Sequence, residues 1–134
     1  MHLYDCCPIS DGASCILIVA EEIAKNFTDT PIHVVGVGQG SGRPLHTSSS
    51  LTSFEANKNA AKEAYEISGL TPKDVQFAEV HDCFSIAELI HIEDLGFFKA
   101  GEGYKAIAEG QTRRDGSMPI NTSGGLKCLR FGNS

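Results

Sequence analysis

The chain has 134 residues, 41% of them hydrophobic, and a formal net charge of -6. That length suits a single domain, and the negative charge argues against a nucleic-acid or anionic-membrane surface. Five cysteines, at 6, 7, 15, 83 and 128, form no CxxC pair, so no metal centre is expected; with no leader before them, a reducing, cytoplasmic compartment is.

Ser10-Asp11-Gly12 is turn chemistry ahead of the apolar run 13–20. The run is apolar on both faces, which predicts a strand buried on both sides, and it is too short to span a membrane. Glu21 and Glu22 open a short helix, where acids favour the positive end of the dipole. Residues 28–31 read as a linker. A second strand, rich in β-branched residues, is predicted over 32–37.

Glycines follow at 36, 38, 40 and 42. They do not make a GxGxxG fingerprint, and no helix follows at once. They read as a flexible exit from a strand, near an edge or a pocket. Residues 45–51 form a polar loop. Thr52-Ser53-Phe54-Glu55 has the pattern of a capping box and predicts a helix over 52–68 that stops at Gly69. Alanines at 56, 60, 61 and 64, with Ile67, give it a smooth face for close packing on a sheet. Thr71-Pro72 predicts a single capped turn.

A third strand is predicted over 75–80. From Cys83 to Leu95 the pattern turns helical, with only Ser85, Glu88 and His91 as a narrow polar stripe. A helix this apolar is buried on most sides and needs a layer above and below it. A short helix follows at 104–109, then a polar turn region at 110–117. No internal repeat or low-complexity segment occurs.

The strand-to-helix junction His81-Asp82-Cys83-Phe84 is where α/β proteins place chemistry. The positive end of the following helix favours an uncharged His81 ring, able to hold a water; a structural histidine is the other reading. Asp82 is placed as the N-cap of that helix. Cys83 is either a small packing residue or a thiolate stabilised by the helix end. A cysteine hydrolase built on His81 and Cys83 is disfavoured, because adjacent residues rarely present nucleophile and base to one another. Gly124-Gly125, with the Asn121 amide beside it, would let backbone approach a ligand, or is a glycine-rich bulge.

Three segments together resemble the thiolase superfamily, in its sterol-carrier-protein-x-like and archaeal acetyl-CoA acetyltransferase branch. They are Cys6-Cys7-Pro8-Ile9-Ser10-Asp11-Gly12-Ala13, the HDCF stretch 79–89, and Asn121-Thr122-Ser123-Gly124-Gly125-Leu126. The resemblance implies an α/β fold, part of a thiolase-like αβαβα sandwich. Residues 1–30 would end the N-terminal half, and 31–134 would form most of the C-terminal half. It implies acyl-CoA condensation or 3-oxoacyl-CoA thiolysis through an acyl-cysteine. Coenzyme A or acyl-CoA would be a substrate, with no permanently bound cofactor. His81 would be catalytic, positioning a water that stabilises the thioester enolate. Asn121, Gly124 and Gly125 would contact substrate, and Cys7 would border the CoA pantetheine. The family's nucleophilic cysteine, GHP histidine and later CxG cysteine have no counterpart in this sequence, which after Cys128 runs into 130–134 and ends. A fragment inactive alone is therefore expected. The alternative is a non-catalytic thiolase-like scaffold or binding subunit. A homo-oligomer or a thiolase-like partner chain is the expected assembly.

Overall fold

The computed structural model describes residues 2, 5–9 and 11–128. Ser10 of the first turn and the 130–134 tail lie outside them. In chain order the helices are α1 (Glu21–Ala24), a 3-10 turn (Leu45–Thr47), α2 (Glu55–Ser68), a second 3-10 turn (Pro72–Asp74), α3 (Ser85–Asp94), α4 (Gly103–Ala108) and α5 (Gly125–Cys128).

α3 is the centre of the packing. Its Ile92 is fully buried and forms a core with Met118 and Ile120; Val75, Ala78, Val80, Phe97 and Phe98 pack around it. α3 also packs against α2 and α4. The expected cover is thus present on the Ala87, Ile90 and Ile92 sides, while Phe84 and Ile86 are left open.

The predicted strands do not form a sheet among the described residues. Segment 75–80 makes one parallel bridge, Ala78 to Ile120, through Ala78 N–H to Pro119 O and Asn121 N–H to Ala78 O. Cys6 bridges Phe84 antiparallel. Segment 13–20, expected to be buried on both sides, is exposed, with Ile16 at 84% and Ile18 at 79%. Ile32, Val34, Val35 and Val37 are exposed too. The reason is physical: a strand exists only through its partners' N–H and C=O groups, and among the described residues no strand pairs with these segments.

Gly42 lines a cavity, in keeping with a glycine exit near a pocket, but the other three glycines have a different role from the one their sequence suggested. A Cβ at Gly36, Gly38 or Gly40 would fall on the carbonyl oxygens of Ala64, Ala60 and Ala56 respectively. Two residues of extended chain advance about 6.6 Å and four of helix about 6 Å, so every second glycine meets every fourth alanine. Residues 36–40 therefore lie antiparallel along α2, backbone to backbone. The alanine face packs closely, with Ala61 buried, but against this extended glycine segment and not on a sheet. Ile67 falls outside that face and is exposed.

Helix ends were legible only in part. α2 stops at Gly69 in the left-handed region (φ 69°), and Thr71 with Asp74 makes a full capping box. The Thr52–Glu55 box does not form. α2 starts after Phe54 with no side-chain cap of its own, and Thr52 Oγ1 pairs with Ser50 Oγ. Replacing Gly38 with Ala should cost about 2 kcal/mol in urea denaturation by overpacking backbone on backbone. Gly42→Ala, where a Cβ meets only ordinary contacts at 3.5 Å, should change stability by less than about 0.5 kcal/mol.

Candidate functional site

The acids around α3 build the site. At its C-terminal end, Asp94 has a side chain only 3% exposed. It accepts hydrogen bonds from Ser53 Oγ (2.7 Å), the Phe54 N–H (2.6 Å) and Asn57 Nδ2 (3.5 Å), with the Lys58 ammonium at 3.7 Å. Asp94 thus supplies in trans the cap that α2 lacks, at the end of the helix where a negative charge is favoured. Glu93 does the same for α4, accepting from the Gly101 and Gly103 N–H groups, both at 2.8 Å.

At the other end of α3, Asp82 is buried, but it is not the N-cap of its own helix. Phe84 holds that position, without a side-chain cap. The Asp82 carboxylate instead accepts the Leu126 N–H at 2.7 Å, and a Cβ on Gly125 would collide with it. Gly125 has φ 59°, so both space and backbone conformation call for glycine. Asn121, at φ 52°, accepts the Val80 N–H at its Oδ1 (2.7 Å) and donates from Nδ2 to Glu88 (3.5 Å). Glu79 accepts from Ser123 N–H, Ser123 Oγ and Thr122 Oγ1. These bonds, the Ser123 hydroxyl's first, hold its carboxyl below the usual range. Segment 121–126 is therefore a strap: it grips the residues on both sides of His81.

His81 itself is exposed and lines a cavity of about 570 Å³ between the α2 start and the α3 start. Cys83, Phe54, Phe84, Ile86 and Ile90 share its wall. Cys7 is drawn beside the junction by its N–H bond to Cys83 O at 2.9 Å. Cys7, Asn121, Gly124 and Gly125 do not line this cavity; Asn121 and Gly125 act on the backbone and carboxylate flanking His81, and Gly124 donates its N–H to Asn121 O. Among the described residues, no group of three or more His, Cys, Asp or Glu side chains is placed to hold a metal, and no helix is long and apolar enough to cross a membrane.

His91 is the residue that sequence reasoning passed over. It belongs to the polar stripe of α3 and lines the same cavity. Its ring stands edge-on to His81 at 6.3 Å between centroids and tilted against Phe54 at 5.7 Å. Asn57 Nδ2 lies 2.6 Å from its Nδ1. Burial, and then the neighbouring His81, push its pKa below 6.5, against an opposing pull from Asp94. The signal was the stripe itself: a polar side chain on a helix this apolar needs a partner, and Asn57 provides it.

Residues 38–131 match the thiolase C-terminal domain-like family, and the chain belongs to that family. It is 46% identical to the acetyl-CoA acetyltransferase of Methanothermobacter thermautotrophicus over 95% of this chain and 33% of that protein. It is 36% identical to sterol carrier protein 2 of Bos taurus over 94% of this chain and 24% of the relative. A solved structure, the Ltp2-ChsH2(DUF35) aldolase, superposes with a TM-score of 0.83 at 31% identity, covering 94% of this chain and 34% of that one. The chain thus spans about a third or less of the length of these relatives.

Two outcomes test the site's construction. Asp94→Ala removes the acceptor of several buried donors and should cost about 3 kcal/mol of unfolding free energy in chemical denaturation. The second concerns His91. Its folded pKa lies below the unfolded value, so between the two the unfolded chain binds more protons. Its contribution is present above pH 6.5 and is lost as pH falls from there through the folded value. The urea midpoint should fall across that window, and His91→Gln should flatten the slope.

Proposed function

We propose that this chain supplies one part of a thiolase-type acyl-CoA site, in which His81 positions a water or the thioester oxygen. The observation that carries this reading is the strap. Val80 and Asp82 are both pinned by 121–126, so the ring between them is held at the cavity wall while remaining exposed. A group that stabilises a developing enolate must be fixed in advance, because reorganisation at the moment of reaction would cost the gain.

On this reading the substrate is coenzyme A or an acyl-CoA, and the reaction is condensation of acyl-CoA or thiolysis of 3-oxoacyl-CoA. Cys7 borders the pantetheine arm, and Asn121, Gly124 and Gly125 carry the remaining substrate contacts. No prosthetic group is needed. Residues 1–30 complete one half of an αβαβα sandwich and 31–134 form most of the other. The compartment is the cytoplasm. The nucleophilic cysteine comes from a segment with no counterpart in these 134 residues.

A second reading, a non-catalytic subunit, is favoured by the exposed apolar side chains at Ile16, Ile18, Ile32 and Val34. Covering such surface with a second copy or a thiolase-like chain is worth roughly 25 cal/mol per Å². Light scattering separates these cases from a monomer.

The test is direct. Incubated with acetoacetyl-CoA and CoA, the chain alone should give no turnover, yet should bind coenzyme A by calorimetry. His81→Ala should weaken acetoacetyl-CoA binding several-fold while leaving the folded spectrum intact. Turnover by the chain alone would overturn its assignment as an incomplete site. Failure to bind any CoA ligand would remove the acyl-CoA reading.

A further inference from the structure

The cavity beside His81 carries more than one polar side chain on an apolar wall. Much of its wall is apolar: Phe54, Ala56, Phe84, Ile86 and Ile90. Against this stands a second imidazole, His91, held by a hydrogen bond and not free to rotate. Half-buried polar side chains in an apolar wall are how small-molecule pockets fix the orientation of a ligand.

The chemistry of His91 can be assigned from its neighbours. Asn57 Nδ2 faces both His91 Nδ1 at 2.6 Å and Asp94 Oδ2 at 3.5 Å. An ionised carboxylate only accepts, so the amide nitrogen, and not its oxygen, is the atom turned toward both. His91 Nδ1 is then the acceptor. In the neutral ring the proton is on Nε2, and among the described residues no protein acceptor takes it. His91 is left with one donor and no spare acceptor at the cavity wall.

We propose that His91 reads the acyl carbonyl: its Nε2–H donates a hydrogen bond to the carbonyl oxygen of an acyl thioester whose chain lies along the Phe54, Phe84 and Ile90 wall. This rests on the acyl-CoA reading above and specifies which end of the substrate the cavity takes. His91 is a binding and positioning residue, distinct from His81. The Asp94–Asn57 pair sets its tautomer, so the carboxylate that starts α2 also sets the donor of the pocket.

The experiment uses the 134-residue chain and two probes that differ only in the carbonyl: hexanoyl-CoA and its thioether analogue S-hexyl-CoA. Hexanoyl-CoA should bind about five- to tenfold more tightly, the worth of one neutral hydrogen bond. His91→Phe should cut that preference to the part His81 contributes, a fall of several-fold. His91→Gln, whose amide still donates, should keep a preference for the thioester. Nitrogen-15 histidine spectra of the free chain should show His91 as the Nε2–H tautomer. An Nδ1–H pattern there overturns the proposal without reference to any ligand. Equal binding of both probes by the unaltered chain overturns it while leaving the acyl-CoA reading standing. Absence of binding by CoA and both probes overturns that reading and the proposal with it.

Discussion

Much of this structure depends on one buried carboxylate. Asp94 sits at the end of α3 with its side chain 3% exposed. Taking a carboxylate out of water costs several kcal/mol unless its oxygens are satisfied. Ser53, Phe54, Asn57 and Lys58 satisfy them, and all four lie at the start of α2. The position of α2 on α3 is thereby set, since any slip would leave the charge without donors. Three consequences follow along the chain. The alanine face of α2 is presented to the 36–40 glycines. The cavity opens between the α2 and α3 starts. Asn57 is placed to hold His91.

The same logic recurs at Glu93 and Asp82. Each acid near an end of α3 satisfies N–H groups of another segment, not of α3 itself. Exchanging caps between elements ties local structure to tertiary structure, because each capped segment can start properly only when docked. This couples the folding of the strap 121–126 to the placement of His81. The site is therefore rigid where it must be, in the backbone around His81, and open where a ligand would enter, along Phe84 and Ile86.

The exposed apolar segments 13–20 and 32–37 are the counterpart of this order. Their side chains have strand character, but their main-chain groups find no ladder among the described residues. The chain spans about a third of its longer relatives. The well-packed part, from α2 to the strap, falls within the region that matches the thiolase C-terminal domain-like family. Residues 13–37 precede that region and contribute nothing to the core around Ile92.

The sequence by itself determined the long helices, the Gly69 stop, the Thr71 capping box and the helical pattern over 83–95. These rest on period and local hydrogen bonds, which neighbours in the chain decide. It also carried the three segments whose resemblance pointed to the thiolase superfamily. Only the tertiary structure decided where the carboxylates go. Thr52–Glu55 has the pattern of a cap, yet Asp94, forty residues on, holds the start of α2. Asp82 sits where an N-cap belongs, yet it binds Leu126. The glycines at 36, 38 and 40 look like freedom in the sequence and are close contacts in the fold. His91 looked like one polar residue on a buried helix and became half of an imidazole pair. In each case the local pattern names a capability of the residue, while the partner lies far along the chain, and only packing brings it within 3 Å or so.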